Sequence, residues 1–211
     1  MIDPFYVSAF VTLFVIIDPV GLTPLFMTLT RGRSAAGRRA IAVRSCVTGA
    51  AVLILFGAFG EALLGFVGIT MPAFRIAGGI LLFLTAMDML FERRTQRRQD
   101  KAPPDQPPSD DDPSVFPLGI PLIAGPGAIA TMILLTGQAG GDLAAMLVVD
   151  LVMLAVIVLT FALFQMAGPV ERALGEVGVN VVTRLLGMLL AALSVQFVLD
   201  GLRSFGFAGG A

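Results

Sequence analysis

Phe14-Val15-Ile16-Ile17-Asp18-Pro19-Val20-Gly21-Leu22-Thr23-Pro24-Leu25-Phe26 interrupts a membrane-length apolar segment at its middle with an acid, two prolines and a glycine. A second segment, Gly119-Ile120-Pro121-Leu122-Ile123-Ala124-Gly125-Pro126-Gly127-Ala128-Ile129-Ala130-Thr131, is interrupted at a matching place in the other half of the chain. Lipid supplies no hydrogen bonds, so irregular backbone at that depth survives only where it is buried in protein or lines a cavity. A matched pair of such breaks points to the substrate site of a secondary transporter.

The rest of the composition agrees with a membrane setting. The 211 residues are 56% hydrophobic and only 14% charged, against about 25% charged in soluble domains. At ~20 apolar residues per span, there is room for about six spans with short loops. The chain opens Met1-Ile2-Asp3-Pro4-Phe5, without a basic leader region or a small-residue cleavage site, so the first span is expected to remain as an anchor.

Several chemistries are excluded. The chain has no histidine, no tryptophan and one cysteine, Cys46. That removes histidine acid–base catalysis, histidine zinc motifs, histidine-ligated haem, paired redox cysteines and any intrachain disulfide. Cys46 lies among small apolar residues and reads as a packed thiol. No cofactor, metal or nucleic-acid partner is expected. An intramembrane aspartyl protease needs two carboxylates sharing a proton. Asp18 is deep and Asp88 is near an interface, so the chain does not read as an enzyme.

Hydropathy places spans at roughly 5–29, 40–60, 72–91, 116–137, 143–167 and 181–202. Arg31, Arg33, Arg38 and Arg39 follow the first span, Arg93, Arg94, Arg97, Arg98 and Lys101 the third, and Arg172 the fifth. The positive-inside rule then puts both termini in the periplasm of a bacterial inner membrane. The charged, proline-rich stretch 92–115 reads as a disordered cytoplasmic linker between units 1–91 and 116–211.

These units look like copies. Phe74-Arg75-Ile76-Ala77-Gly78 falls on Thr183-Arg184-Leu185-Leu186-Gly187 at a shift of 109, and Asp18-Pro19 falls on Gly125-Pro126 at a shift of 107. Three spans per unit is odd, so the second copy must be inverted. The expected fold is an all-α membrane protein of six transmembrane helices, two inverted three-helix repeats with the first and fourth helices broken near the midplane.

Asp18-Pro19 is a helix-start signature inside a span, with Thr23-Pro24 a second possible start and Gly125-Pro126 a third. Asp18 lies 13 residues beyond Phe5, ~20 Å along a helix. Internal helix starts carry partial positive charge and unpaired N–H groups suited to a carboxylate. Asp18 beside them would suit an ammonium group, or could simply cap a half-helix. The candidate substrate-binding residues are Asp18, Pro19, Gly21, Thr23, Gly125, Pro126, Gly127 and Thr131. Asp18 is the candidate site of a coupling proton or sodium ion. Thr85, Asp88, Ser194 and Gln196 are candidate pathway residues, although Asp88 reads first as half of an interfacial ion pair. Arg75 and Arg184 read as snorkelling groups, and Arg44 and Asp150 could pair or hydrate.

The runs Ile17–Phe26, Pro72–Phe83, Pro121–Ile129 and Val195–Gly201 resemble the MarC family of bacterial inner-membrane proteins, also called the neutral amino acid transporter family. They are spread over nearly the whole chain apart from the linker. The resemblance implies six spans and transport of small neutral amino acids such as glycine or alanine; symport with a proton or cation is the expected mode. It extends to exporters of the wider LysE type, which leaves direction open. The expected partners are a neutral amino acid, membrane lipid, a coupling proton or sodium ion, and further copies of the chain as an oligomer. The alternatives are export of another small solute and a structural or regulatory role without transport.

Overall fold

The computed structural model describes residues 4–91 and 112–205. The expected linker, 92–115, lies outside the described residues except for Asp112–Val115. All regular elements among the described residues are helical.

The first expected span is divided into α1, Pro4–Ile17, and α2, Pro19–Leu29. α2 starts at Pro19 and runs through Thr23-Pro24, so the second possible start is not used. The Thr23 hydroxyl donates to the Pro19 carbonyl (2.9 Å) and the Thr28 hydroxyl to the Pro24 carbonyl (3.0 Å). Such side-chain bonds let a membrane helix tolerate an internal proline.

α3, Ala35–Val67, is longer than hydropathy suggests. Its 33 residues span about 50 Å, well beyond a ~30 Å hydrocarbon core. Caps set its ends: Ser34 Oγ accepts the Gly37 N–H (3.1 Å), and Gly68 closes the helix at φ 83°. α4, Met71–Leu90, is capped by Thr70.

The segment Ser114–Ile123 is not a regular α-helix. Phe116 and Ile120 are extended, and each precedes a proline, Pro117 and Pro121. The proline ring crowds the residue before it out of helical geometry. Widened bonds result, Leu118 N–H to Pro113 O (3.2 Å) and Ala124 N–H to Gly119 O (2.9 Å). α5, Pro126–Gln138, follows at a bend of 56°. α6, Leu143–Gln165, and α7, Ala167–Ser204, complete the chain; Gly175 (φ 61°) interrupts α7. Five helical stretches are long and apolar enough to cross a membrane, and six when the bent pair is one span.

Packing relies on small residues, as expected where lipid removes the hydrophobic drive between helices. Gly49, Gly57 and Gly60 on α3 receive Ile123, then Met132 and Thr136, then Ile133. α4 and α7 run antiparallel. A Cβ at Gly79 would lie 2.8 Å from the Ser194 carbonyl oxygen, and one at Gly187 would lie 3.0 Å from Met89 Cβ. Leu13, Ile17, Leu22, Leu82, Met132 and Met153 fill the interior, while Leu55, Phe59, Leu84, Leu151 and Leu185 are exposed on the outside.

Candidate functional site

Asp18 is the junction between α1 and α2. Its backbone is left-handed (φ 55°, ψ 63°), and it is the one non-glycine residue with positive φ among the described residues. Aspartate and asparagine are the non-glycine residues that best tolerate this region. The Asp18 N–H closes α1 on the Phe14 carbonyl (2.9 Å), and its carbonyl opens α2 by accepting the Leu22 N–H (3.0 Å). Oδ1 accepts the Gly21 N–H at 3.1 Å, an N-cap bond. A side chain at position 21 would run into this carboxylate, so glycine is required there for space.

The junction also alters the end of α1. In an unbroken helix, the Val15 and Ile17 carbonyls would bond the N–H groups of residues 19 and 21. Pro19 has no N–H, and the Gly21 N–H goes to the carboxylate. Asp18 is completely buried, as are Val15 and Ile17.

The start of α5 lies against this junction. A Cβ at Gly127 would come within 2.8 Å of Ile16 Cδ1 and 3.6 Å of Leu82 Cδ2. Gly125 is the N-cap and supplies no side-chain bond to the first turn. Pro126 occupies the first helical position, where its missing N–H costs least. Thr131, one turn beyond Gly127, is completely buried, and its hydroxyl has no hydrogen-bond partner. The junction therefore sets one carboxylate and the start of α2 against the start of α5, with the unsatisfied Thr131 hydroxyl one turn further along α5.

Of the residues singled out in the sequence, Asp18, Pro19, Thr23, Gly127 and Thr131 are buried, Gly21 and Gly125 are half-buried, and Pro126 is exposed. Thr23 uses its hydroxyl within α2. Thr85 is half-buried and bonds the Leu81 carbonyl (2.9 Å). Ser194 is buried in the α4–α7 contact and bonds the Ala191 carbonyl (2.6 Å). Gln196 is exposed and donates to Asp200 (2.8 Å). Asp88 is half-buried near the end of α4. The structure thus joins the two proline–glycine breaks and leaves Gln196 on the outer surface.

Arg44 and Asp150 do not pair. Arg44 binds Asp112 at 2.7 Å instead. Burial pushes the Asp112 carboxyl up, but the Ser114 N–H and the charges of Arg44 and Arg33 outweigh it and hold the carboxyl below its ordinary range. Asp150 faces α3 at Gly57. Only the rotation of α6 about its axis reveals this placement, and α6 is apolar nearly all round. Among the described residues, no group of three or more acidic, cysteine or histidine side chains converges as a metal site would require.

Comparison with known proteins agrees with the helical pattern. The model for the MarC family integral membrane protein matches residues 4–205. A UPF0056 membrane protein of Archaeoglobus fulgidus is 37% identical over 206 residues, covering 94% of this chain and 92% of that protein. The UPF0056 membrane protein YvbG of Bacillus subtilis is 36% identical, with 96% of each chain covered. The UPF0056 inner membrane protein YhgN of Escherichia coli is 35% identical, covering 93% of this chain and 95% of its own. No solved structure matches. With nearly its full length matched, this multi-pass integral membrane protein belongs to the MarC family.

Proposed function

We propose that the chain is a secondary transporter of small neutral amino acids of the glycine and alanine type, driven by a proton or cation gradient across a bacterial inner membrane. The observation that carries this reading is the contact of the Asp18 junction with the uncapped start of α5. A zwitterion has two opposite charges a few ångströms apart. Its carboxylate matches the first-turn N–H groups of α5 and the unsatisfied Thr131 hydroxyl; its ammonium matches the Asp18 carboxylate and the neighbouring α1 carbonyls. The close approach of Gly127 to Ile16 leaves little room at the junction, which favours small side chains. Asp18 is also the site at which a coupling proton or sodium ion would act.

In this reading the two halves are inverted repeats, the arrangement that alternating access uses. When 109 is subtracted from α7 numbers, Gly187 falls on Gly78, Ser194 on Thr85 and Val198 on Met89. α4 and α7 meet in antiparallel directions, Gly79 against Ser194 and Val198 and Gly187 against Ala86 and Met89, while Gly78 faces Leu134 of α5. In the proposed topology both termini lie on the periplasmic side, as the arginine distribution suggests.

A structural or regulatory role without transport is the second reading. It is favoured by the Gly21 N–H bond, which already gives Asp18 a local task. Binding of radiolabelled glycine to the purified protein, compared with Asp18→Asn and Thr131→Val, separates the two readings. Saturable binding weakened at least tenfold by each variant supports the site. Absence of saturable glycine or alanine binding in the wild type would remove the substrate assignment.

A further inference from the structure

Asp150 lies seven residues into α6, about 10 Å along its axis. Its Oδ1 is buried and has no hydrogen-bond partner. The other side of the side chain is partly exposed. Oδ1 lies 3.8 Å from where a Cβ would stand at Gly57, with Thr136 Cγ2 and Met132 Cε at 3.3 and 3.2 Å from the same point. α3, α5 and α6 therefore meet at this carboxyl. The Thr136 hydroxyl donates to the Gly57 and Met132 carbonyls, both at 2.9 Å.

No positive charge compensates it among the described residues. On α3, Arg44 is thirteen residues before Gly57 and bound to Asp112, while Glu61 is exposed one turn beyond. α5 has no ionisable residue, α2 has none, and α1 has only Tyr6. Arg172, Arg184, Asp200 and Arg203 are on α7, and none of them forms an ion pair with Asp150. Asp18, by contrast, has the Gly21 N–H to stabilise its carboxylate. A carboxyl without donor or cation in a membrane span is far better accommodated as the neutral acid.

We infer that Asp150 is a membrane-embedded proton-binding site, separate from Asp18 and occupied by a proton at neutral pH. The inference goes beyond the transport reading and does not depend on the identity of the substrate. If transport is proton-driven, the three-helix junction at Gly57 is a second point at which the gradient acts.

The test is modification of the full-length protein in liposomes by dicyclohexylcarbodiimide, located by peptide mass spectrometry. The protonated carboxyl adds across one C=N bond of the reagent and rearranges to a stable N-acylurea, with no leaving group. Labelling of Asp150 that stays level between pH ~6 and pH ~7 and falls only at higher pH supports the site; an ordinary carboxyl with a value near ~4 is about a thousandth protonated at pH ~7, and its labelling would already drop about tenfold over that one unit. Asp150→Asn should abolish this adduct while the protein stays monodisperse, because the amide reproduces the neutral form. No adduct at Asp150 near pH ~7, or an adduct whose yield already falls about tenfold between pH ~6 and pH ~7, overturns the inference. Labelling requires no solute flux, so loss of the transport reading would leave this result standing.

Discussion

Replacing Asp18 by alanine removes two stabilising features together. The carboxylate that accepts the Gly21 N–H at 3.1 Å is lost, and an N-cap deletion costs ~1 kcal/mol. Alanine must also occupy φ 55°, where a Cβ adds ~1–2 kcal/mol. The sum is about 2–3 kcal/mol. Asparagine keeps an acceptor oxygen and tolerates the left-handed region, so Asp18→Asn should cost less than about 1 kcal/mol. Glycine relieves the backbone but leaves the half-buried Gly21 N–H without its carboxylate partner, giving an intermediate loss. The expected order of thermal stability is therefore wild type and Asn together, then Gly, then Ala. It can be read from the loss of the monodisperse peak after heating purified protein in detergent. An alanine variant as stable as the asparagine variant would refute the assigned role of the junction. The series also isolates charge from capping, because only asparagine removes the first while retaining the second.

Other substitutions test the surrounding packing. Gly79→Ala should destabilise by about 1–3 kcal/mol, since the added carbon meets the Ser194 carbonyl oxygen at 2.8 Å; Gly65→Ala, with nothing within 4 Å, should be neutral or stabilise by up to ~1 kcal/mol. Heating curves of both variants check the contrast. Thr136→Val removes the bond to the Gly57 carbonyl and should cost ~0.6 kcal/mol, the average for such interhelical bonds, measured in the same assay. The Asp112 carboxyl is held below its ordinary value in the folded chain. Its contribution is therefore present above pH ~4 and lost as the pH falls through the lower folded value. Because both Arg44 and Asp112 are substantially exposed, the difference between wild type and Asp112→Asn should stay below ~1 kcal/mol and shrink further with added salt.

Much of the helical layout could be read directly from residue types. Apolar length located the spans, and Asp18-Pro19 and Gly125-Pro126 marked the starts of α2 and α5, because caps and proline act locally. Ser34 and Gly68 carried the signals for the ends of α3, but Arg38 and Arg39 lowered hydropathy and made the helix seem shorter. The irregular backbone from Ser114 to Ile123 depends on Pro117 and Pro121 acting on their predecessors, an effect that hydropathy does not register. Thr23-Pro24 failed as a start because the helix from Pro19 already supplied the carbonyls that Thr23 and Thr28 bond. At the candidate site, the breaks were legible but their contact through Gly127 and Ile16 was not, since it depends on how α1 and α5 pack. The same limit applied to Asp150 and to the partner of Arg44, which are set by the rotation of neighbouring helices.

The central claim is that the junction of the two breaks binds and moves a small zwitterion. The most direct measurement is uptake of radiolabelled glycine and alanine into proteoliposomes with an imposed pH gradient, for wild type and Asp18→Asn. Saturable, gradient-driven uptake by the wild type, abolished in a correctly folded Asp18→Asn protein, is the predicted result. Flux that persists in Asp18→Asn would reduce Asp18 to a helix cap, and absence of glycine or alanine flux in either direction with either protein would contradict the claim.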